Sequence, residues 1–453
     1  MSHFSIDFFS TGKGILQEIH ASSSHCRIKA QSIIPLADTL RLGLQGDPVD
    51  VWDKAVLSGV RPTALGQSNA REIRIVDLFC GCGGFTEGVK HALASLGYRP
   101  AITAAIDIDK EALRLYQVNH KPGLALNADV NSVIKYRTRR SDHGGIEFAD
   151  VRYEINDIRA IETLMGGCDI LLAGPPCQGH SNLNNHSRRS DPRNNLYMSV
   201  AAYASMLHPS HVVIENVQPV LHDKQDVVSK TEDLLKQLGY NVDHLTVDGT
   251  SIGMSQTRKR HFLVASLSQA LTINDYYDEY RLLYPPPSRS VSWCFGLLPK
   301  VVDVENPFYV PSELSAENQL RVSWLHENCK YDLPNELRPK CHQREHNYKS
   351  VYGRMIPNLP AGTITTGYHS PGRGRYVHPW EPRVITSCEA ALIQGFPIDY
   401  QFNDGKSRFS RASHAKVIGD AVSPVMSRFI GLFIGVETRL SDLLCASNAI
   451  HAC

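Results

Sequence analysis

Short apolar runs alternate with longer segments of helical periodicity along the middle of the chain. The runs cover residues 73–79, 102–106, 168–173, 211–215 and 261–265. Each run has the length of a buried strand, and the segments between them are long enough for helices. Strands that alternate with helices form a doubly wound, mostly parallel sheet. The pattern therefore predicts an α/β fold with a Rossmann-like sheet.

The same pattern divides the chain into four parts. Residues 1–70 carry no recognisable motif, and residues 47–69 are rich in turn formers, which predicts an N-terminal extension with a linker and leaves its role open. Residues 71–270 hold the predicted sheet. Residues 271–380 are rich in Pro, Tyr, Arg and His with weak periodicity, which indicates a smaller, irregular second domain. Residues 381–453 are expected to return to the first domain and complete it.

Composition narrows the class of protein without identifying its partner. The 453 residues are 42% hydrophobic and 21% charged with a net charge of +1, as in ordinary globular proteins. No apolar run approaches the roughly 20 residues of a membrane span, and the N-terminus does not resemble a secretory signal. The 11 cysteines form no Cys-x-x-Cys pair, and Cys329, Cys341, His342 and His346 match no familiar zinc spacing. We expect an intracellular protein with reduced thiols and no bound metal.

A glycine-rich segment follows the first predicted strand and opens a helix. It contains, in chain order, Asp77, Phe79, Gly81, Gly83 and Gly84. Glycines at such a turn let backbone N–H groups approach a ligand at the helix N-terminus. Thr86 stands where dinucleotide-binding turns have their third glycine, which disfavours an NAD enzyme. A plain tight turn is the alternative interpretation.

Acidic side chains follow the second strand. Asp107 lies at its carboxyl end, where a carboxylate can accept hydrogen bonds from a ribose diol. Asp109, two residues later, fits a helix N-cap better. The sequence therefore assigns these two carboxylates to different tasks.

A cysteine, a glutamate and two arginines lie near the ends of other predicted strands. Cys177 follows two prolines just after a strand, but a free thiol reacts only beside a partner or in an electropositive pocket, and an inert core cysteine is the alternative. Glu215 ends one strand, while Arg258 and Arg260 lead into another. For the arginines the alternative is a surface basic pair. All four side chains can meet at one edge of the sheet.

In this order the motifs resemble those of the DNA (cytosine-5) methyltransferase family over about residues 73–427, or nearly four-fifths of the chain. Residues 363–366, 383–397 and 418–424 add further matches. The resemblance implies transfer of a methyl group from S-adenosyl-L-methionine to carbon 5 of a cytosine that is flipped out of a specific DNA sequence. It also implies that residues 271–380 form a target-recognition domain.

The family also suggests a role for each candidate catalytic residue. Cys177 is expected to add to carbon 6 of the base, which activates carbon 5. Glu215 is expected to bond or protonate ring nitrogen 3, which requires a raised pKa. Arg260, together with Arg258, is expected to hold the base carbonyl oxygen and orient Glu215.

The resemblance further implies sets of cofactor and DNA contacts. Besides the glycine-rich segment and Asp107, the expected cofactor contacts are Ile108, Pro175, Leu196, Asp420, Ala421 and Val422. The expected DNA contacts, most of them in a polar loop suited to closing over the extruded base, are Gln178, Ser181, Arg188, Arg189, Arg193, Thr365 and Thr366. The chain departs from the family at Asp420, where Asn is usual, and at Asp107, where Glu is usual. Both departures put those side-chain contacts in question.

Two aspartates compete for the adenine amino group of the cofactor. Asp157 lies 20 residues before Cys177, a spacing like that of the family. Asp129 ends the first strand-like run after the helix that follows Asp109, and consecutive strands tend to be neighbours in such sheets. We favour Asp129, which makes residues 137–156 an insertion before the next strand.

Alternative functions are weighed against the same motifs. An RNA (tRNA) methyltransferase would carry a Cys-Phe-Thr signature that this chain lacks, and residues 366–376 resemble the DNA-modifying members. A catalytically inactive DNA-binding relative is disfavoured because Cys177, Glu215 and Arg260 are all present. We expect a monomer that acts on double-stranded DNA, in the cytoplasm at a prokaryotic nucleoid or in a eukaryotic nucleus. The target sequence and pairing with a restriction endonuclease stay open.

Overall fold

The computed structural model describes residues 3–23, 26–65, 70–141, 145–176, 195–268, 270–284, 289–343, 350–406 and 409–451. Its N-terminal part is a four-stranded antiparallel sheet in the order β1-β2-β3-β4. The elements of this part are β1 His3–Thr11, β2 Gly14–Ser22, β3 Arg27–Pro35, α1 Leu36–Arg41, α2 Pro48–Leu57 and β4 Thr63–Ala64.

Helix α2 lies where the turn formers of residues 47–69 predicted a linker. Asp47 caps it by accepting hydrogen bonds from the N–H groups of Val49 and Asp50, and Pro48 occupies the first turn, where a missing N–H costs nothing. Trp52 and its apolar neighbours on the inner face are buried. The linker interpretation was therefore wrong here: the proline starts a helix.

A seven-stranded sheet forms the centre of the molecule. From the N-terminal side its elements and their connections are β5 Glu72–Leu78, α3 Gly84–Ser95, β6 Arg99–Asp107, α4 Lys110–His120, β7 Leu124–Asn127, α5 Val130–Val133, β8 Ile134–Arg140, β9 Ile146–Tyr153, α6 Ile158–Met165, β10 Ile170–Ala173, α7 Leu196–Leu207, β11 His211–Asn216, α8 Val227–Gln237, β12 Asn241–Asp248, β13 Gln256–Thr257 and β14 Lys259–Ser266. The strand order is β12-β14-β11-β10-β5-β6-β7.

The topology confirms the predicted doubly wound, mostly parallel sheet. Strands β11, β10, β5, β6 and β7 are parallel, and β14 runs antiparallel to both β11 and β12. Strand β12 was not predicted. Strands β5 and β10 are neighbours, yet the chain winds outward from them in opposite directions, which makes their carboxyl ends the switch point where such sheets bind ligands.

Both faces of this sheet are buried. Ile75 and Leu172 pack in one core with α3 and with the later helix α14 Pro424–His451, whereas Val76 and Leu171 face the other core with α7 and α8. Neighbouring residues on a strand point to opposite faces, so a sheet covered on both sides needs continuous apolar strands. This is why the predicted strands were unbroken apolar runs.

The remaining chain makes a less regular second region and then returns to the sheet. Its elements are α9 Ile273–Leu283, α10 Val291–Phe295, α11 Ala316–Glu327, β15 Ala361–Gly362, α12 Ser387–Gln394, α13 Arg411–Asp420 and α14 Pro424–His451. Helix α12 begins with a capping box in which Thr386 and Glu389 bond each other's backbone N–H groups. The Gln394 side chain then donates to the Ala421 carbonyl at 2.9 Å, which joins α12 to the end of α13.

One stretch, Arg411–Leu444, is long and apolar enough to cross a membrane. However, 78% of its apolar window is buried inside the fold. A buried core helix has the same composition, so this stretch is weak evidence for a membrane span.

Candidate active site

A cavity of about 380 Å³ lies at the switch point, beyond the carboxyl ends of β5 and β10. Most of the cofactor and catalytic residues predicted from the sequence line it, namely Asp77, Phe79, Gly81, Gly84, Asp107, Ile108, Asp129, Pro175, Leu196, Glu215, Arg258, Arg260, Asp420, Ala421 and Val422. Gly83 and Asp157 are not among the lining residues. The fold thus brings together residues that are up to nearly 350 positions apart in the sequence.

The glycine-rich turn holds its shape through backbone conformation and close packing. Phe79 has φ 55°, a left-handed value that is unusual for a bulky residue and typical of a constrained functional turn. Gly83 has φ 97° and serves as N-cap of α3. A Cβ on Gly84 would lie 2.2 Å from the Val422 carbonyl oxygen, so only glycine fits between the turn and the segment after α13. The turn leaves the N-terminus of α3 open toward the cavity.

Thr86, the residue that argued against a dinucleotide turn, has a structural role. Its hydroxyl bonds the Asp77 carboxylate at 2.7 Å and the Tyr116 hydroxyl at 2.7 Å. Burial raises the pKa of Asp77 to about 7 despite the bond from Thr86. One oxygen of Asp77 is buried without a hydrogen-bond partner among the described residues. That oxygen is an acceptor at the floor of the cavity.

The two aspartates at the end of β6 make different contacts. Asp107 accepts hydrogen bonds from the N–H groups of Gly81 at 2.8 Å and Asp109 at 2.7 Å, so it ties the glycine-rich turn to its own strand. Asp109 caps α4 through the N–H groups of Glu111 and Ala112. Burial raises the pKa of Asp107, and those backbone bonds oppose the rise. Both aspartates line the cavity, Asp107 from the end of the strand and Asp109 from the start of α4.

Asp129 and Asp157 are both helix N-caps but lie in different places. Asp129 accepts from the N–H of Asn131 at 2.8 Å at the start of α5, and it lines the cavity. Asp157 accepts from the N–H of Ala160 at 3.2 Å at the start of α6, and it is absent from the cavity wall. Between them, β8 and β9 form a separate two-stranded hairpin.

Sequence reasoning missed Lys416, which also lines the cavity. Its ammonium group lies 2.7 Å from Asp109 and 3.5 Å from Asp420, so it joins the start of α4 to the end of α13. Burial raises the pKa of Asp420, and Lys416 opposes this rise. The i,i+4 spacing of Lys416 and Asp420 on a helical segment was the available signal. The lysine compensates a negative charge that Asn, usual at position 420 in the resembling family, would not carry.

The predicted acid and base-holding residues meet at the other end of the cavity. The Arg260 Nε atom lies 2.9 Å from Glu215 Oε1. This oxygen is buried and accepts no aligned hydrogen bond from the described residues. Burial raises the pKa of Glu215, outweighing the opposing effects of Arg260 and Arg258. The two groups are thus in close contact, and the Glu215 carboxyl group holds its proton more tightly than it would in water.

Arg258 is buried and donates to two backbone carbonyls, of Ile364 at 3.2 Å and Ala421 at 3.1 Å. It therefore joins Ile364, in the second region of the chain, to Ala421 at the end of α13. Arg260 is the arginine in contact with Glu215. The sequence had grouped these two residues in one role, and their geometry differs.

Asn216 and Tyr197 support this end of the cavity. The Asn216 side chain donates to the Pro175 carbonyl at 3.3 Å and accepts from the Val217 N–H at 2.8 Å. It therefore fixes the end of β11 against the two prolines that precede Cys177. Tyr197 is buried with its hydroxyl unpartnered among the described residues, and both burial and Glu215 raise its pKa. Only the Asn, adjacent to Glu215 in sequence, offered a signal for its position.

A wider cleft of about 870 Å³ continues from the Arg260 end of the cavity. Thr365 and Thr366 line it, as do residues from the second domain. A Cβ on Gly419 would lie 2.3 Å from the Thr366 backbone nitrogen, so the cleft wall packs tightly on α13. Six predicted residues lie outside the described ranges, namely Cys177, Gln178, Ser181, Arg188, Arg189 and Arg193.

The described residues contain no group of three or more His, Cys, Asp or Glu side chains placed to hold a metal. His346, one of the four residues considered for zinc, lies outside the described ranges. Cys329 and Cys341 are exposed free thiols.

Comparison with known proteins identifies the family. A family model described as C-5 cytosine-specific DNA methylase matches residues 73–435. The chain is 39% identical over 362 residues to the Type II methyltransferase M1.BsuMI of Bacillus subtilis (strain 168), with 80% of each chain covered. It is 29% identical over 373 residues to the Type II methylase M.HgiDII of Herpetosiphon aurantiacus, covering 79% of this chain and 93% of the relative.

Solved structures agree with the fold. A putative DNA modification methyltransferase encoded within an E. coli prophage superposes with a TM-score of 0.51 at 22% identity, covering 82% of this chain and 99% of that one. The S. pombe Dnmt2 methyltransferase gives a TM-score of 0.50 at 18% identity, covering 81% and 98%. At such identities the likeness shows the fold alone. The family match over residues 73–435 goes further: the chain belongs to the C-5 cytosine-specific DNA methylase family.

Proposed function

We propose that this protein transfers a methyl group from S-adenosyl-L-methionine to carbon 5 of a cytosine flipped out of double-stranded DNA, with Cys177 as covalent nucleophile. The observation that carries the proposal is the Glu215–Arg260 contact at 2.9 Å, in the cavity that the glycine-rich turn also lines. Pro175 and Pro176 line the same cavity and lead directly into Cys177. A carboxyl group, a guanidinium group and a thiol can thus serve one bound base.

The cavity fits the proposed cofactor. Ile108 is 73% exposed although it is large and apolar, and together with Leu196 it offers a wall for an adenine ring. Asp107 at the strand end suits a ribose diol, and Asp129 suits the adenine amino group. The acceptor at Asp77 and the open N-terminus of α3 would hold the methionine part of the cofactor. When bound, the cofactor supplies an electrophilic methyl group on a sulfonium sulfur.

The side chains have distinct tasks in the proposed reaction. The Cys177 thiolate adds to carbon 6 of cytosine, and Glu215 shares its proton with ring nitrogen 3, so that electron density builds up at carbon 5. Carbon 5 would then take the methyl group as the methyl–sulfur bond breaks and its electron pair stays on the thioether product. Transfer of the carbon 5 proton to water, return of the shared proton to Glu215 and expulsion of the Cys177 thiolate restore the aromatic ring. Burial raises the pKa of Glu215, which favours the protonated form that this step uses.

The two arginines have separate tasks in this scheme. Arg260 holds Glu215 and points a donor at the base carbonyl oxygen, where negative charge develops. Arg258 is a positioning residue, because its guanidinium already binds the carbonyls of Ile364 and Ala421. It keeps the cleft wall and the cofactor cavity in a fixed relation.

The 870 Å³ cleft beside Arg260 is our candidate DNA channel, with residues 271–380 as the target-recognition domain and residues 381–453 completing the catalytic domain. The segment 178–194 is proposed to contact phosphates around the extruded base. The Type II relatives support DNA rather than RNA as substrate, and we propose a monomer acting inside the cell. Asp129 is our choice over Asp157 because it alone lines the cavity.

Bisulfite sequencing of DNA from cells that express the protein tests this function. We expect new 5-methylcytosine in one sequence context with the wild-type chain and none with Cys177→Ala. Duplexes that carry 5-fluorocytosine should trap a complex that survives denaturation with the wild type alone, because the fluorine cannot leave as a proton does. DNA binding without transfer should persist in the variant, since phosphate contacts supply much of the affinity. Substantial turnover by Cys177→Ala would refute the mechanism.

A further inference from the structure

Among the residues that the structure describes, four basic side chains line the 870 Å³ cleft, and three of them are already paired. Arg260 contacts Glu215, and Lys416 contacts Asp109 and Asp420. Arg375 donates through Nη1 to the carbonyls of Tyr331 and Arg354, and its Nη2 pairs with Asp332 at 2.6 Å. The fourth basic side chain is that of Arg373.

The Arg373 side chain is exposed and has no hydrogen bond or ion pair with the described residues, while its backbone N–H donates to the Ser370 carbonyl at 3.2 Å. It shares the cleft with Arg260, the residue assigned to the target base. A guanidinium group offers five N–H donors in a planar fork, and none of those of Arg373 is bound to a described residue. Within the part of the chain that the structure describes, Arg373 is thus an unpaired bidentate donor on the wall of the cleft that Arg260 also lines.

The turn that carries Arg373 is held firmly. The Pro371 carbonyl accepts a hydrogen bond from the Tyr352 N–H at 2.7 Å. A Cβ on Gly372 would lie 2.9 Å from the Tyr352 hydroxyl, and one on Gly374 would lie 2.6 Å from the Tyr376 ring. Both flanking glycines are therefore packed against tyrosine side chains, which fixes the backbone on either side of Arg373.

The stem of Arg373 is also supported. A Cβ on Gly367 would lie 2.8 Å from Arg373 Cβ and 2.9 Å from its Cγ, so the stem rests directly on the Gly367 backbone. A supported stem loses less rotamer entropy on binding than a loose surface arginine does. A fixed turn and a supported stem favour recognition of one defined partner over loose attraction to the phosphate backbone.

We propose that Arg373 is a specificity-determining residue that reads a guanine of the target sequence through bidentate hydrogen bonds to O6 and N7. This inference rests on the proposed function, because it takes the cleft to be the DNA channel. Arginine against those two acceptors is the commonest base-specific contact in the major groove. Arg375, two residues away, is less suited to this part because both of its terminal nitrogens already bond other described residues.

The test uses the full-length protein and a pool of duplexes in which the bases around one cytosine are randomised. Sequencing of the methylated products first defines the guanine positions that the wild type requires. Arg373→Lys keeps the positive charge but loses the fork, so preference at one guanine position should fall roughly 5- to 150-fold while the other positions keep theirs. Arg41→Lys, an exposed arginine on α1 outside the cleft, is the matched control and should leave the profile unchanged.

A modified base tests the same contact without changing the protein. Replacing that guanine by 7-deazaguanine removes the N7 acceptor, which should lower the preference of the wild type and leave Arg373→Ala unaffected. The inference is overturned if Arg373→Lys leaves the sequence profile unchanged and Arg373→Ala lowers methylation equally at all sequences with a shallower salt dependence. Those results would assign Arg373 to a phosphate contact. Absence of a guanine requirement in the wild type would also overturn the inference. If the wild type methylates no duplex, the proposed function itself fails.

Discussion

The Asp129 carboxylate gives the sharpest test of the cofactor site, because the chain supplies its own control. Asp129 and Asp157 are both exposed helix N-caps, but Asp129 alone lines the cavity. Replacing either by alanine removes a cap and should lower the free energy of unfolding by about 0.5–2 kcal/mol. Only Asp129→Ala should also weaken cofactor binding.

The expected size follows from one hydrogen bond. A charge-assisted bond from the adenine amino group to a carboxylate that the ligand buries contributes about 1.5–3 kcal/mol. Because each 1.4 kcal/mol is a factor of ten, Asp129→Ala should raise the Kd roughly 10- to 150-fold, and Asp157→Ala less than about twofold. Asp129→Asn keeps the cap and a neutral acceptor, so its loss should be intermediate.

Calorimetric titration with S-adenosylhomocysteine measures these affinities without turnover. Urea unfolding of the same variants shows whether the two caps contribute equally to stability. A large loss of affinity confined to Asp157→Ala would refute the assignment. Equal losses in both variants would show that affinity follows stability rather than contact with the ligand.

The remaining predictions concern the acid, the N-terminal part and the second domain. Glu215→Gln should lower the single-turnover rate about 10²–10⁴-fold while changing cofactor affinity little. In the wild type the protonated fraction of Glu215 should fall as the pH rises through its raised pKa. A collapse of cofactor affinity with a preserved rate would contradict this role. Asp53→Asn should lower the free energy of unfolding by about 3–5 kcal/mol in a urea titration. The reason is that the Asp53 carboxylate contacts the Tyr284 hydroxyl and the Arg289 and Arg428 guanidinium groups. Asp38→Asn on α1 is the control and should change the free energy of unfolding little. Grafting residues near 275–375 from a relative with another target should change the methylated sequence, and an active chimera with the original pattern would place recognition elsewhere.

The elements that follow from the sequence are those whose pattern is local. The five predicted strands are present because a sheet covered on both faces needs unbroken apolar runs, and each run sits in register beside its neighbours. Strand β12 was missed because Asn241–Asp248 is an edge strand with polar residues at alternate positions. The N-terminal sheet carries no chemical motif, and its strands β1 and β3 alternate apolar and polar residues, as strands with one buried face do, instead of forming continuous apolar runs.

The sequence predicts those residues of the candidate site that belong to a local motif. It does not predict contacts between residues that are far apart along the chain. The acid Glu215 could be named from its strand end, but the different partners of Arg258 and Arg260 depend on carbonyls more than 100 residues away. Lys416 pairs with Asp109 across 307 positions, which no spacing rule reveals.

Those long-range contacts also explain how the cleft and the cofactor cavity stay in a fixed relation. Arg258 binds Ile364 on the cleft wall and Ala421 beside the cavity. Gln256 extends the same connection, since its side chain accepts from the Ile364 N–H at 3.0 Å and donates to Gln394 at 2.8 Å. A buried polar group without its partner costs more than the bond contributes, so movement of either wall alone is penalised. The geometry at Glu215 is therefore set by the second region of the chain as well as by the sheet that carries it.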